Sequence, residues 1–319
     1  MSRVTIADVA RAAEVSTATV SNALNGTGRL SAATRSRVRA VAADLGYGSL
    51  AAAPALAVAA TGSAIGHTGA AAYFSRLAAA ATEAAHRRGY ALFVMPADAA
   101  AAHWRTLPVA GALFLDVSGR NPAVGVLRTR GLPLVFDGRP AEEHRGENWV
   151  DNDYAAATRS ALDHLASRGA RSVALGGCPR GDPYTRLCRE TYRAWCADRR
   201  VEPRVLRMDA RDPEGRLLDP LLAPPSRPDA VHGLCDACGH RLVASARRVG
   251  VPVPDRLLLS CLSTGPGPAP LPPTVTRVTL TPDRLGRAAI GALTALVEDP
   301  RTARPARLLP TRLHPSGRG

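Results

Sequence analysis

The sequence has no lysine: all 41 of its basic residues are arginine, against 27 acidic residues. Aromatic residues make up only 4% of the chain, so the hydrophobic core must consist mainly of Ala, Val and Leu. The net charge of +14 suits a polyanion such as nucleic acid or an anionic membrane. A compositional drift towards Ala and Arg explains the same excess, so charge alone identifies no partner.

Disulfide scaffolds and membrane segments are also missing. The six cysteines lack the dense, regular spacing of a disulfide framework, which favours a reducing compartment. The N-terminus has no continuous apolar segment, and no stretch of about 20 residues is free of charges and helix breakers. The sequence therefore predicts a cytoplasmic protein, associated with the nucleoid if it binds DNA, and no membrane partner. The cysteines are Cys178, Cys188, Cys196, Cys235, Cys238 and Cys261.

The first 48 residues differ in pattern from the rest of the chain. Apolar residues at helical spacing predict three helices, at 6–13, 17–24 and 31–45. Thr5, Ser16 or Thr17, and Ser31 are suitable N-caps. Three short helices with a tight turn between the first two predict a helix-turn-helix domain.

From about residue 61 the pattern is that of an α/β protein, with short apolar runs alternating with amphipathic stretches. This alternation predicts parallel sheets covered on both faces, and about 250 residues fit two doubly wound subdomains. The predicted strands are 91–95, 109–115, 132–136, 172–175, 230–234 and 257–260. The predicted helices are 74–88, 154–168, 185–199, 239–249 and 282–298.

The sequence contains no clear motif for catalysis or for cofactor binding. Gly176, Gly177 and Gly181 do not match a dinucleotide or phosphate-binding loop, and no nucleophile with its base is readable. His232, Cys235, Cys238 and His240 contain thiolate and imidazole ligands that suit zinc, but a single Cys-x2-Cys after an apolar strand is more typical of small buried side chains. We predict no enzyme activity, no cofactor and no metal.

The second predicted helix carries the features of a DNA-reading helix. Its side chains that packing does not require are small and hydrogen-bonding, and the first 50 residues hold six Arg against three acids. The alternative is a three-helix packing module with a solvated polar face. The small polar residues are Thr17, Thr19, Ser21, Asn22 and Asn25.

Two N-terminal segments closely resemble the DNA-binding domain of the LacI/GalR family of bacterial transcriptional repressors: residues 4–13 (VTIADVARAA) and 15–26 (VSTATVSNALNG). Further segments are similar to that family's effector-binding core, in the family's order: RGY at 88–90, VDN at 150–152, RLGRAA at 284–289 and LPTRL at 309–313. The resemblance implies an all-α helix-turn-helix domain at 1–48, a hinge at 49–60 and a periplasmic-binding-protein-like core at 61–319. The two core lobes are then expected at 61–160 with 283–305, and at 161–282 with 306–319.

The resemblance also implies DNA-contacting residues. Thr17, Ala18 and Asn22 occupy base-reading positions; Asn22 stands where the family most often has Arg, which predicts a preference for adenine over guanine at one base pair. Leu56 matches a Leu that the family's hinge inserts into the minor groove, although Pro54 disfavours a helix there. Glu14 replaces the usual Gly of the turn, and because an acid tolerates a positive φ poorly and faces the polyanion, the turn is expected to differ locally. Residues that contact or support phosphates complete the set: Thr5, Ser16, Thr19, Ser21, Asn25, Arg29, Ser31, Thr34 and Tyr47.

An effector site is implied in the crevice between the lobes, at the carboxyl ends of the strands. Two departures make a common sugar doubtful: Ser263-Thr264 replaces an acid pair, and Cys188 replaces an Arg. The lobes then bind something less polar or serve mainly for dimerisation. The candidates are Tyr73, Phe74, Asp137, Asp151, Asn152, Arg186, Arg189, Asp236 and Ser263.

Together these features predict a homodimeric repressor, with a tetramer left open, that binds a pseudo-palindromic operator and responds to a small-molecule effector. The alternative is a cytosolic α/β solute-binding protein or enzyme with an incidental helical module.

Overall fold

The computed structural model describes residues 4–25, 27–28, 30–45, 47, 54–60, 68–115, 121–139, 148–177, 182–209, 211–225, 227–265, 270–302 and 307–317. The chain forms two compact units, residues 1–55 with 89–91 and residues 56–88 with 92–319, here called the N-terminal unit and the core unit. Among the described helices, none is long and apolar enough to cross a membrane.

The N-terminal unit contains three helices, α1 (Ile6–Ala12), α2 (Thr17–Asn25) and α3 (Ala32–Asp44). Their inner faces meet in a small apolar core, in which Val9, Val20 and Val38 are fully buried. Tyr47 packs against this core, and its N–H donates to Ala42 O at 2.8 Å. The predicted three-helix domain is confirmed, because its apolar spacing is regular enough to identify each helix.

Glu14 lies in the turn between α1 and α2 with φ +52°, a left-handed conformation that favours glycine. The sequence suggested that an acid here would change the turn. The turn instead keeps the positive φ, because Val15 N–H donates to Ala10 O at 3.0 Å and closes the end of α1.

The core unit begins at a six-stranded sheet whose spatial order is β11-β5-β4-β3-β1-β2. Its strands are β1 (Ala55–Ala60), β2 (Ala91–Pro96), β3 (Gly111–Leu115), β4 (Leu134–Asp137), β5 (Asn148–Asn152) and β11 (Arg307–Leu309). The pairs β1–β3, β3–β4, β4–β5 and β5–β11 are parallel. Strands buried on both faces read as continuous apolar runs, as β3 does.

A second six-stranded sheet has the order β12-β10-β9-β8-β6-β7. Its strands are β6 (Val173–Gly177), β7 (Arg204–Arg207), β8 (Ala230–Gly233), β9 (Leu258–Ser263), β10 (Thr276–Thr279) and β12 (Arg312–His314). Every described pair is parallel except β10–β12, which places one antiparallel strand at an edge. The predicted fold class, two doubly wound lobes after a helical domain, is confirmed.

Helices cover these sheets. They are α4 (Thr68–His86), α5 (Ala101–Thr106), α6 (Pro122–Thr129), α7 (Tyr154–Ser167), α8 (Pro183–Arg199), α9 (Asp219–Leu222), α10 (Asp236–Arg248) and α11 (Pro282–Glu298), with a 3-10 turn at Arg216–Leu218. The helix α7 packs on the second sheet, so the first lobe ends near residue 153 and not at 160. The chain returns through α11, which packs on the first sheet, and β11 joins that sheet, so the boundary expected at 306 lies at 310–311.

The expected hinge at 49–60 and the wedge role of Leu56 are corrected by β1. Residues 55–60 form a strand in the core, and Leu56 is fully buried beside Gly111 of β3. Pro54 immediately precedes this strand, and its carbonyl accepts a hydrogen bond from Ala91 N–H at 3.0 Å. A buried strand residue has no side chain available for a groove, so Leu56 is a core residue. Residues 49–53 lie outside the described part of the chain.

The helices α4 and α11 cross at Gly286. A Cβ atom at this position would lie 2.5 Å from Leu77 O and 3.1 Å from Ala81 N. Because only glycine permits so close an approach of two helix backbones, Gly286 fixes the crossing point.

Candidate functional site

The first turn of α2 presents its side chains to solvent. Ser16, Thr17 and Ala18 are exposed, whereas Val20 and Ala23 on the opposite face are fully buried. The N–H of Thr19 donates to Ser16 Oγ at 3.1 Å, which caps the helix. The exposed start of α2 is therefore held rigidly by its buried face and its cap.

Asn22 lies one turn further along α2 and is partly buried. Thr27 Oγ1 donates a hydrogen bond to Asn22 Oδ1 at 3.2 Å, and Thr27 N–H donates to Asn22 O at 3.0 Å. A Cβ at Gly28, whose φ is +73°, would lie 3.0 Å from Asn22 Nδ2. The segment after α2 thus packs on the carboxamide and orients it. The side chain of Asn25 and residue Arg29 lie outside the described part of the unit.

Each helix of the N-terminal unit begins with a hydroxyl cap. Thr5 Oγ1 accepts a hydrogen bond from Asp8 N–H at 3.3 Å, and Ser31 Oγ accepts one from Thr34 N–H at 3.1 Å. Hydrogen bonds from the side chain and backbone of Thr5 lower the pKa of Asp8. Caps and helix N-termini are natural contacts for phosphate, so these hydroxyls serve folding and remain suited to DNA.

Two arginines of α3, Arg37 and Arg39, are exposed, and Arg11 of α1 pairs with Asp8 at 3.1 Å. Thr5 and Ser31 are exposed, and Thr19, Ser21, Asn22, Thr34 and Tyr47 are partly buried. Apart from Leu56, every described candidate for DNA contact keeps some exposed surface.

The crevice candidates of the first lobe lie at the carboxyl ends of β4 and β5. Tyr73 of α4 reaches them: its hydroxyl donates to Asp137 Oδ1 at 3.5 Å. The ring of Phe74 lies edge-on to that of Tyr73, with centroids 5.5 Å apart. The structure therefore brings Tyr73, Phe74 and Asp137 together as the resemblance implied.

Asn152 is fully buried, and its amide makes four hydrogen bonds. Nδ2 donates to the hydroxyls of Tyr73 at 3.0 Å and Tyr154 at 3.3 Å. Oδ1 accepts from the N–H and hydroxyl of Thr281 at 3.0 and 3.3 Å. An amide makes about four such bonds at most. Asn152 therefore connects the first lobe to the segment that leads out of the second sheet, and protein groups occupy the hydrogen-bonding positions of the amide that was expected to contact an effector.

Asp151 is 5% exposed, and burial raises its pKa to about 7. Backbone hydrogen bonds from Asn152 and Arg139, and the charge of Arg139, oppose this rise. Burial also raises the pKa of Tyr73 and Tyr154 well above the ordinary value. The carboxyl group of Asp151 therefore carries less negative charge near neutral pH than an ordinary exposed aspartate does.

On the second lobe, Asp236 begins α10 and is fixed to the end of β9. Its Oδ2 accepts hydrogen bonds from the N–H and hydroxyl of Thr264, both at 2.9 Å. Ser263 is 3% exposed, and its Oγ accepts from Gly265 N–H at 3.1 Å. Both candidates lie at the carboxyl end of the sheet, where a crevice ligand is expected, but their polar groups hold the loop after β9.

Arg186 and Arg189 are not grouped with the other candidates. Cys188 between them is fully buried on the inner face of α8, which turns Arg186 to solvent, 4.0 Å from Glu190. An exposed i,i+4 pair of this kind contributes little energy. The charge that Arg186 was expected to supply therefore faces away from the sheet, and Arg189 is only partly buried.

The sequence did not single out three residues that the structure places at the same edge. The rings of Tyr154 and Tyr184 lie 4.6 Å apart, at the starts of α7 and α8. Arg76 of α4 donates from Nε to Asp283 Oδ1 at 3.2 Å and from Nη1 to Thr264 O. Tyr154 could have been predicted because it directly follows a polar strand end, whereas Tyr184 and Arg76 depend on contacts between distant segments.

Comparison with known proteins gives two matches to family models. Residues 5–49 match the bacterial regulatory proteins of the lacI family, and residues 162–317 match a periplasmic binding protein-like domain. A comparison with curated proteins gives no match.

Solved structures share the fold. A lac repressor dimer bound to operator and the anti-inducer ONPF has a TM-score of 0.73 at 20% identity, over 98% of both chains. The transcriptional regulator CelR in complex with cellobiose has a TM-score of 0.68 at 22% identity, over 99% of this chain and 100% of that one. A LacI-family regulatory protein from Chloroflexus aggregans has a TM-score of 0.70 at 22% identity, over 81% of this chain and 96% of its own.

These relatives are regulators of transcription and not enzymes. A capped helix-turn-helix unit that matches the lacI model precedes a two-lobed core whose residues 162–317 match the periplasmic binding protein-like model, so this chain carries the DNA-binding domain of the lacI family of bacterial regulatory proteins followed by a periplasmic binding protein-like domain.

Proposed function

We propose that the protein is a dimeric repressor that binds a pseudo-palindromic operator and changes its affinity when a small effector occupies the crevice. The observation that carries this proposal is the start of α2, where Ser16, Thr17 and Ala18 are exposed on a helix whose opposite face is buried. A rigid helix with small polar side chains at its N-terminus fits the major groove. Such a regulator acts where the chromosome is, in the cytoplasm.

Base reading is assigned to Thr17, Ala18 and Asn22. The amide of Asn22, oriented by Thr27, can accept a hydrogen bond from adenine N6 and donate one to N7. Phosphate contacts are assigned to the hydroxyl caps at Thr5, Ser16 and Ser31 and to the exposed arginines of α3, which position the unit without reading sequence. Among the solved relatives, the lac repressor dimer is described as bound to operator.

Dimerisation is assigned to the edge of the first sheet. The edge strand β2 consists of six apolar residues, none of them buried, with Phe93 40% and Val94 59% exposed. An exposed apolar edge strand invites pairing with another chain, which native proteins otherwise prevent. We therefore assign this strand to the contact with a second copy.

The effector is assigned to the carboxyl ends of the two sheets. Four aromatic rings, those of Tyr73, Phe74, Tyr154 and Tyr184, lie near this edge together with the carboxyl groups of Asp137 and Asp236. Aromatic faces bind flat or apolar ligand surfaces, and carboxylates accept hydrogen bonds from them. A ring-containing ligand with hydrogen-bond donors suits this set better than one that requires a guanidinium clamp.

Fluorescence anisotropy with genomic fragments tests the proposal. We expect tight binding only to fragments that hold discrete palindromic sites, and an affinity that falls steeply with salt because arginines displace counterions from phosphates. The double variant Thr17→Ala/Asn22→Ala is expected to lose site preference while keeping weak nonspecific binding. Binding of all fragments with equal affinity by the intact protein would contradict the proposal.

A further inference from the structure

Two thiols lie in contact at the start of α10, where the chain leaves β8. Cys235 is the N-cap of the helix and Cys238 lies in its first turn, and their Sγ atoms are 2.9 Å apart. The N–H of Cys238 donates to Cys235 Sγ at 3.3 Å. The two sulfur atoms are therefore closer than ordinary van der Waals contact. The first turn of α10 holds them in this position.

The two sulfurs differ in access. Of the cysteines that the structure describes, Cys188, Cys196, Cys238 and Cys261 are buried, and Cys235 alone is partly exposed. Burial raises the pKa of Cys188 to about 12 and that of Cys261 well above the ordinary value, so both remain thiols. A reagent in solvent therefore reaches the Cys235 sulfur first. The buried Cys238 sulfur lies in contact with it.

The position of the pair favours reaction at Cys235. A thiolate at a helix N-terminus is stabilised by the helix dipole and by backbone N–H groups, and Cys-x2-Cys motifs at such positions are characteristic of reactive dithiols. Strand β8, helix α10 and strand β9 also form a parallel β-α-β unit, the setting in which this motif indicates thiol chemistry in a reduced compartment.

We propose that Cys235 and Cys238 form a reversible dithiol–disulfide pair that is oxidised by hydroperoxides. The Cys235 thiolate attacks the terminal peroxide oxygen and breaks the O–O bond, giving a sulfenic acid and releasing an alcohol, or water from hydrogen peroxide. The Cys238 sulfur then attacks the Cys235 sulfur and displaces water. In total, two thiols lose two hydrogen atoms and one peroxide is reduced. A cellular thiol returns the pair to the dithiol by exchange.

The pair is also linked to contacts between the two sheets. Asp236, between the two cysteines, holds the N–H and hydroxyl of Thr264. The carbonyl of Thr264 in turn accepts a hydrogen bond from Arg76 of α4, which is ion-paired with Asp283. A disulfide between Cys235 and Cys238 shortens the distance between their sulfur atoms, so we expect it to move the first turn of α10, where Asp236 lies. Resting on the function proposed above, oxidation is therefore expected to change the affinity for operator.

Thiol counting on the full-length protein tests the pair. Treatment with a small excess of hydrogen peroxide is expected to lower the six alkylatable thiols to four, with peptide mapping locating a 235–238 link that dithiothreitol reverses. Cys238→Ser is expected to accumulate a sulfenic acid at Cys235 that dimedone traps. Cys196→Ser, a buried cysteine on α8, is the matched control and keeps the link. Retention of all six thiols, or an equal loss in Cys235→Ser, would overturn the proposal.

Operator anisotropy separates this inference from the function on which its regulatory part rests. We expect the oxidised wild type to differ at least threefold from the reduced protein in operator affinity, and Cys235→Ser to show no response to peroxide. Equal affinity of both forms, with the disulfide demonstrated, would overturn the regulatory link. If neither form prefers any DNA site, the repressor assignment fails while the mapped disulfide still supports the redox pair.

Discussion

The hydroxyl of Thr27 donates to Oδ1 of Asn22 over 3.2 Å, so a residue beyond α2 orients the amide that we assign to base reading. The amide edge is then fixed before DNA arrives, which lowers the entropy lost on binding. Because of this contact, a substitution of Asn22 is the most direct test of base specificity in the N-terminal unit.

Replacing Asn22 with Arg is expected to change the preferred base from adenine to guanine at one position of each half-site, by about 1–3 kcal/mol, because guanidinium pairs with O6 and N7 of guanine. Selection from a randomised DNA library measures the change. Ser36→Ala, at an exposed site on α3, serves as control and is expected to leave the preference unaltered. An unchanged base at every position in Asn22→Arg would exclude Asn22 from readout.

Leu56→Ala tests the correction of the wedge. Because Leu56 is fully buried in β1, the substitution is expected to lower the free energy of unfolding by about 2–5 kcal/mol. Operator affinity per folded molecule is expected to stay constant, which urea unfolding and anisotropy measure together. Leu217→Ala, at a leucine that is 60% exposed, controls for loss of a methyl-bearing side chain. A weaker complex with undiminished stability would restore the groove-wedge role.

Glu14→Gly is expected to stabilise the N-terminal unit by about 1 kcal/mol, because glycine adopts the positive φ of this turn without a Cβ clash. Glu14→Ala removes the charge and keeps the strain, so it separates the two effects. Thermal unfolding followed by circular dichroism gives the comparison. Equal stability of the Ala and Gly variants would show that charge, and not backbone conformation, is the relevant property.

Asp151 predicts a pH dependence of stability. Folding raises its pKa from 3.8 to about 7, so between these values the folded protein holds a proton that the unfolded chain has released. Stability is therefore expected to fall as pH rises from about 4 to about 7, by at most about 4 kcal/mol, and to level off above. Asp151→Asn should remove this component in urea titrations at several pH values, and Asp98→Asn, at an exposed site, should retain it. A wild-type slope that persists in Asp151→Asn would assign the effect elsewhere.

Val94→Glu is expected to convert dimer to monomer, because it places a charge on the exposed apolar edge of the first sheet. Sedimentation velocity measures the mass, and affinity for a palindrome should fall while binding of a single half-site stays unchanged. Val205→Glu makes the same change at the edge of the second sheet, where valine is 37% exposed, and should leave the dimer intact. A dimeric Val94→Glu protein would place the interface on another surface.

The sequence predicted correctly those helices and strands whose local pattern of apolar residues matches their burial in the fold. The helix α2 was predicted within one residue because its cap residue and its apolar spacing, which places Val20 inside, are both local signals. The strand β1 was missed, because four of its six residues are alanine, which has low strand propensity, and a proline precedes it. Its strand conformation comes from pairing with β3, a contact that no local pattern encodes.

The candidate site likewise contains residues that the sequence could locate and residues that it could not. Asp137 and Asp236 could be located because the carboxyl ends of parallel strands meet at one edge. Two of the four bonds of Asn152, by contrast, reach Thr281, 129 residues further along the chain, so these contacts could be found only in the assembled lobes. Arg186 faces away from the sheet because it lies about half a helical turn before the buried Cys188, on the opposite side of α8.

The glycine contact between α4 and α11 restricts how the core can move. With Gly286 lodged against the backbone at Leu77, these helices cannot slide along each other without a steric clash. Shear between α4 and α11 is thereby excluded at this crossing. Because α11 packs on the first sheet and α4 connects two strands of that sheet, a bulkier residue at 286 would disturb the interior of the first lobe rather than the crevice itself.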